Sequence, residues 1–277
     1  MDMKNKITSM LTIASITMAM TACTTNDDLL AGHRDDSGAG SSITLSAEIS
    51  GNKTSFISGD KIGVATSYTD ANTLNREFVY DGTAFTATTG IPFYVKGNCN
   101  IVGYYPFAGE DSAEPTLTVS TKNQKDIKDI YLAEFTGATR DTKNVHLTFQ
   151  PLLSEATLTI TVPQGEEMRS WRLSGLKQSA SITPNTLALN LAAEAQDLTG
   201  ILGSQQAAEK DITFTVRLIP QAADATLILI GKKRSYTISL GEITLVNGAH
   251  VNIHVNAADG TKYIEIVQDD AKWEEVK

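Results

Sequence analysis

Apolar and polar residues alternate along most of this chain. Leu45, Ala47 and Ile49 form one such series, Val145, Leu147 and Phe149 another, and Leu158, Ile160 and Val162 a third. The period of two recurs at Leu187, Leu189 and Leu191, and at Ile212, Phe214, Val216 and Leu218. It returns at Tyr236, Ile238 and Leu240, and at Val251, Ile253 and Val255. Successive side chains of a strand point to opposite faces, so this pattern puts one face in a core and the other in water, as antiparallel sheets do. The polar partners are often Thr, whose branched Cβ suits a strand surface. Asn247-Gly248 lies between Ile243-Thr244-Leu245 and Val251-Asn252-Ile253 and predicts a tight hairpin, because a type I′ turn needs φ > 0 twice. Asp81-Gly82 and Asp259-Gly260 predict similar turns. Two windows, 190–202 and 204–210, break the alternation, and each reads as a short helix or a loop. The expected class is all-β, with short strands in packed pairs of sheets.

The length of 277 residues allows one large domain or two. The polar stretch Pro163-Gln164-Gly165-Glu166-Glu167 follows one strand pattern and precedes another at Trp171-Arg172-Leu173, so the expected units are 43–165 and 166–277. Residues 35–42, DDSGAGSS, read as a flexible linker. A hydrophobic share of 41% supports packed cores. The net charge of -9 argues against nucleic acid as a partner, since phosphate contacts need clustered Lys and Arg.

The N-terminus reads as an address. Lys4 and Lys6 precede an uncharged run, 7–22, that is too short and too rich in Ser and Thr to span a bilayer comfortably. It ends in Met20-Thr21-Ala22-Cys23, which resembles a bacterial lipoprotein signal. That resemblance implies a signal peptide over 1–22, removal before Cys23, and fatty acylation (palmitate) of Cys23 as the anchor in the outer membrane. The alternative is an ordinary signal peptide followed by a chance Cys. Asp27-Asp28 resembles a surface-export signal of Bacteroidetes lipoproteins, or is simply part of a polar tether over 23–42. Cys99, the other thiol, sits in a strand-like stretch and reads as a small buried apolar residue.

Catalytic signatures are missing. The chain has no G-x-S-x-G elbow, no phosphate-binding G-x-x-x-x-G-K-[ST] loop, no H-E-x-x-H and no calcium loop. His250 and His254 would converge on a metal only on a helix; on a strand they share a face but stand about 13 Å apart. Glu110, Asp111 and Glu114 read as a solvated loop. The expectation is a protein that is not an enzyme, with no cofactor and no metal.

Four segments in order resemble the fimbrillin family of Bacteroidetes, the subunits of type V pili. They are Ser58-Gly59-Asp60-Lys61-Ile62-Gly63-Val64, Val102-Gly103-Tyr104-Tyr105-Pro106-Phe107, Asp129-Ile130-Tyr131-Leu132-Ala133, and the stretch from Val145 through Phe149 to Ser154. Tyr131 stands where that family often has Leu, and Pro151 where it has His. Leu173-Ser174-Gly175-Leu176 is a further point of likeness. The resemblance implies two transthyretin-like β-sandwich domains in tandem, and partnership with other fimbrial subunits in a surface fimbrium. It also implies removal of an N-terminal piece by an arginine-specific protease, after which a strand from another subunit fills a groove. The candidate cut follows Arg34, which otherwise is a tether charge.

The candidate donor strand is the C-terminal stretch, KYIEIVQDDAKWEEVK, with Ile264 and Ile266 on one face, Tyr263 and Val267 on the other, and Trp273 as an anchor. Its alternative is a terminal strand folded on its own sheet. Three readings follow: a stalk or tip subunit, a lipid-retained anchor or adhesin for host or bacterial surface ligands, and a surface lipoprotein that binds or cleaves glycans, for which Trp171 is the aromatic to test.

Overall fold

The computed structural model describes residues 42–50, 55–67, 73–111, 113, 115, 117–203 and 211–267. Among them the chain forms strands and no helix. In order these are β1 (Thr44–Ile49), β2 (Lys61–Thr66), β3 (Arg76–Tyr80), β4 (Phe85–Ala87), β5 (Cys99–Tyr105), β6 (Leu117–Ser120), β7 (Tyr131–Ala138), β8 (Asn144–Pro151) and β9 (Ser154–Thr161). Then come β10 (Met168–Ser174), β11 (Ser179–Thr183), β12 (Ala188–Leu191), β13 (Leu198–Ile201), β14 (Asp211–Leu218), β15 (Gln221–Gly231), β16 (Ser235–Leu245), β17 (His250–Asn256) and β18 (Lys262–Val267). The alternating series of the sequence fall on strands except at Leu187, in the turn before β12, and Val162, just past β9, and their apolar members are buried or partly buried against a core. In the window 190–202 the loop alternative holds: 192–197 form a loop between β12 and β13, and no helix forms. The window 204–210 lies outside the described residues.

The first strands close by pairing into a barrel of order β1-β4-β3-β2-β5-β7-β8. Its interior holds Ile62, Val64, Ile101, Leu147 and Phe149, with Phe56, Phe85 and Tyr105 stacked edge to face near Phe149. The later strands form two facing sheets, β13-β10-β15-β16 and β14-β9-β17-β18. Their inward residues share one core, from Ala156 and Leu158 to Leu229, Val251 and Ile253. Trp171 of one sheet stacks on Phe214 of the other, with ring centroids 4.4 Å apart.

The expected seam at 163–167 joins β9 to β10, and the inward residues of both lie in that same core. Pairing partners change earlier, at Leu152-Leu153 between β8 and β9. The two halves also share structure. β6 pairs with β11 in a three-stranded sheet, β12-β11-β6. Under it Tyr104, Leu117, Ile130, Leu152, Ile182 and Ile219 form a third core. The Gln124 side chain completes the seam: its amide donates to the Arg217 carbonyl at 3.0 Å and its carbonyl accepts from the Arg217 N–H at 2.8 Å, imitating a strand partner. Arg217 also pairs with Asp129.

The turn at Asn247-Gly248 is a second correction. Gly248 has φ 67°, but β16 and β17 lie in different sheets, so the turn carries the chain across the core instead of closing a hairpin. Local sequence specifies a sharp reversal; which sheet receives the next strand depends on packing. Asp81-Gly82 and Asp259-Gly260 do close hairpins, β3–β4 and β17–β18.

Candidate strand-exchange site

β18, the expected donor, folds on its own sheet. It runs antiparallel to β17 over six pairs, from His250↔Val267 to Val255↔Lys262, and is the outermost strand of that sheet. Ile264 lies opposite Ile253 and Ile266 opposite Val251, so both take the inward face that the period of two predicts. Burial is slight. Ile264 is half-buried against the core, Ile266 is 45% exposed, and Tyr263 is 61% exposed beside His254 on the outer face. For Val267 only the backbone pairing with His250 is described. The strand is thus held mainly by its ladder.

Its entry turn is well bonded. The Asp259 carboxylate accepts from the Thr261 N–H at 2.9 Å and the Thr261 hydroxyl at 2.7 Å, and these bonds hold its pKa below the usual carboxylate value. Lys262 Nζ donates to the Ser239 carbonyl of β16 at 2.5 Å. That side chain is a polar guard on an edge whose backbone groups could otherwise accept another strand.

The barrel's shortest ladder among the described strands lies at β1. β1 runs parallel to β8 over six pairs, but meets β4 at a single pair, Leu45↔Phe85. Apolar side chains lie beneath it: Ile43, Leu45, Phe85 and Phe93 are all buried in the barrel. β1 begins at Thr44, on the far side of Arg34, so a cut after Arg34 leaves β1 in the chain. Cys23, Arg34 and Trp273 themselves lie outside the described residues.

The segments that resemble fimbrillins are neighbours in space. They supply β2, β5, β7 and β8, four consecutive strands of the barrel. Gly63 lies opposite Tyr104, and a Cβ there would stand 2.2 Å from the Tyr104 ring, so only glycine leaves room. Asp60 accepts from the Tyr105 hydroxyl at 3.1 Å, joining the first segment to the second.

Sequence reasoning missed the polar group around Tyr104. Its hydroxyl donates to Asn75 Oδ1 at 2.5 Å, and burial pushes its pKa up to about 12. Asn75 in turn donates to the carbonyls of Ala108 and Glu110. Asp111, expected in a solvated loop, accepts from the Glu77 N–H at 2.7 Å and from buried Arg76 at 3.3 Å. The group pins the 106–111 loop to β3, and no short motif announces it.

Other candidates land as follows. Cys99 is buried in the barrel core. His250 and His254 are exposed on β17, and His250 pairs with Glu155 at 3.2 Å. Trp171 is only 7% exposed under Gly200 and Phe214, so it offers no sugar platform. Among the described residues, no group of three or more His, Cys, Asp and Glu side chains is placed to hold a metal ion, and no helix is long and apolar enough to cross a membrane.

Comparison with known proteins agrees with this architecture. The family model described as fimbrillin-like matches residues 47–271. A solved structure of a candidate cell adhesion protein from Bacteroides ovatus superposes with a TM-score of 0.57 at 18% identity, covering 83% of this chain and 97% of that one. A second, from Bacteroides uniformis and described in the same words, gives 0.54 at 18% identity, covering 82% and 97%. At such identity these two show the fold. No curated protein matches.

Proposed function

The chain belongs to the fimbrillin-like family, and on that premise we propose that it is a non-enzymatic subunit of a type V fimbria, joined to other subunits by strand exchange and acting in adhesion at the cell surface. The observation that carries this reading is β18: six ladder pairs, one half-buried anchor and two exposed apolar side chains. A strand held chiefly by backbone pairing transfers readily, because ladder hydrogen bonds are nearly independent of sequence. The acceptor is the single-pair seam between β1 and β4, where apolar side chains lie under an incomplete ladder. In this reading the chain folds as two units whose pairing divides at Leu152-Leu153. It travels to the outer membrane as a lipoprotein acylated at Cys23.

The variant of this reading is an anchor or adhesin that keeps its lipid. The N-terminal mass of protein recovered from the surface decides between them: acylated Cys23 marks an anchor, and a start at Asp35 marks a polymerised subunit.

The test of donation is deletion of 262–277, which removes β18 together with the tail. The expected product is folded and secreted but absent from fibres on immunoblots. Undiminished incorporation would overturn the donor role.

A further inference from the structure

The outer face of the β13-β10-β15-β16 sheet carries exposed apolar residues that the fold does not use. Ile201 on β13 is 90% exposed and Ile230 on β15 is 41% exposed. Both lie opposite Ser170 of β10, one from each side. In the next row Thr199, Arg172 and Ile228 align in the same way. The small Ser170 between two isoleucines leaves a shallow depression of about 520 Å³, walled by Ile201, Ile230, Arg172 and Thr199 and floored by the edge of Trp171 and Gly200. That is room for an aromatic side chain.

The rim is cationic, although the chain carries a net charge of -9. Arg172 stands in the wall, and the exposed Arg169 belongs to the same strand. Lys232, Lys233 and Arg234 form the turn between β15 and β16, one residue past Ile230. Glu167 and Asp197 offset part of this charge by pairing with Lys232 and Arg172, and Glu166 accepts from the Lys233 backbone N–H. The Arg172 Nε–H is buried and has no hydrogen-bond partner.

A segment of matching chemistry exists in the chain itself. Residues 268–277, QDDAKWEEVK, place Trp273 among Asp269, Asp270, Glu274 and Glu275. The face is out of reach for a chain's own segment. Val267 pairs at the His250 and Glu155 end of its sheet. The depression lies at the opposite end, where Thr161 leads through 162–167 into β10. The six register steps from Glu155 to Thr161 span about 20 Å along the strand. A path around the sandwich adds its thickness, about 10 Å. Six residues from Val267 to Trp273 reach at most about 21 Å.

We propose that the β10–β13–β15 face receives the acidic segment 268–277 of a second copy, with Trp273 seated between Ile201 and Ile230. This rests on the donor reading above and says where the tail of the donated strand comes to lie, outside any groove that takes β18.

The test is fluorescence anisotropy of a dye-labelled synthetic peptide of residues 268–277, titrated with the full chain at low and high salt. Saturable binding that weakens with salt is expected. Ile201→Asp, Ile230→Asp and a Trp273→Ala peptide should each weaken it tenfold or more, and Arg172→Glu severalfold. Ile57→Asp, at an exposed isoleucine elsewhere, should change nothing. Circular dichroism melts of each variant show that the fold is kept. No binding at 1 mM protein, or binding indifferent to Ile201→Asp, overturns the proposal. Sedimentation of the full chain checks the occupant: concentration-dependent association lost in Ile201→Asp supports a second copy, and a monomer at every concentration refutes it. Fibre incorporation lost on deletion of 262–277 but kept on deletion of 269–277, without peptide binding, removes this face and leaves strand exchange standing.

Discussion

Strand β18 should open by itself, well before the molecule unfolds. Its six pairs bring about six backbone hydrogen bonds, at ~1 kcal/mol net each. Partial burial of Ile264 and Ile266 adds about 2–3 kcal/mol. Ordering the same stretch costs ~1–2 kcal/mol per residue, roughly 6–12 kcal/mol in all. The terms nearly cancel and leave β18 closed by no more than ~3 kcal/mol, against ~5–15 kcal/mol for a whole domain. Two substitutions separate local from global opening. Ile264→Ala removes an anchor that only the closed state uses; half-buried, it should cost ~1–2 kcal/mol. It should speed amide exchange in β18 by about 5–30-fold, and exchange in β9 by a similar factor, because only the closed native state loses a contact. Leu158→Ala, in the core under β9, costs ~2–5 kcal/mol. It should speed exchange in β9 and leave β18 unchanged, because that core persists when β18 detaches. Native-state hydrogen exchange read by NMR supplies both numbers. If Leu158→Ala accelerates β18 as much as β9, the strand has no opening of its own and the reasoning fails.

Three further outcomes follow from other parts of the molecule. Gly175 has φ 92°, and a Cβ there would stand 2.1 Å from the Asp224 carbonyl oxygen, so Gly175→Ala should cost ~3 kcal/mol or more and lower Tm by several degrees; an unchanged melt would contradict the close approach. Burial raises the Tyr104 pKa from 10.0 to about 12, so the unfolded chain loses that proton first as pH rises. The contribution is whole below pH 10 and is lost as pH climbs toward 12, and in Tyr104→Phe the alkaline fall in urea-melt stability should be shallower. Asp259 has its pKa lowered by bonds to Thr261, so its contribution is present above the ordinary value of 3.8 and lost as pH falls through the lower folded value. The Tm gap between wild type and Asp259→Asn should therefore narrow in acid, and a gap that is constant with pH would exclude the carboxylate.

The strands of this protein were legible because a period of two is a local property: each residue needs only one wet and one dry face. The alternation at Ile212, Phe214, Val216 and Leu218 is therefore as plain in the sequence as in β14. Turns at glycine were legible for the same reason, since a positive φ is decided by the residue itself. The family likeness was legible in four segments, and their adjacency as β2, β5, β7 and β8 explains why they travel together: each is the packing surface of the next. What stayed hidden is everything that depends on which surfaces meet. Asn247-Gly248 marks a reversal but not the sheet that β17 joins. The order of pairing around Leu152-Leu153, the shared sheet of β6 with β11, and the Gln124–Arg217 mimic of a strand join residues far apart in the chain. Asp111 reads as a loop acid until Arg76 is brought beside it. The exposed isoleucines at 201 and 230 are ordinary strand residues in sequence; only their register against Ser170 makes them a face. Local preference is written residue by residue, whereas partnership is a sum over contacts that the folded chain alone selects.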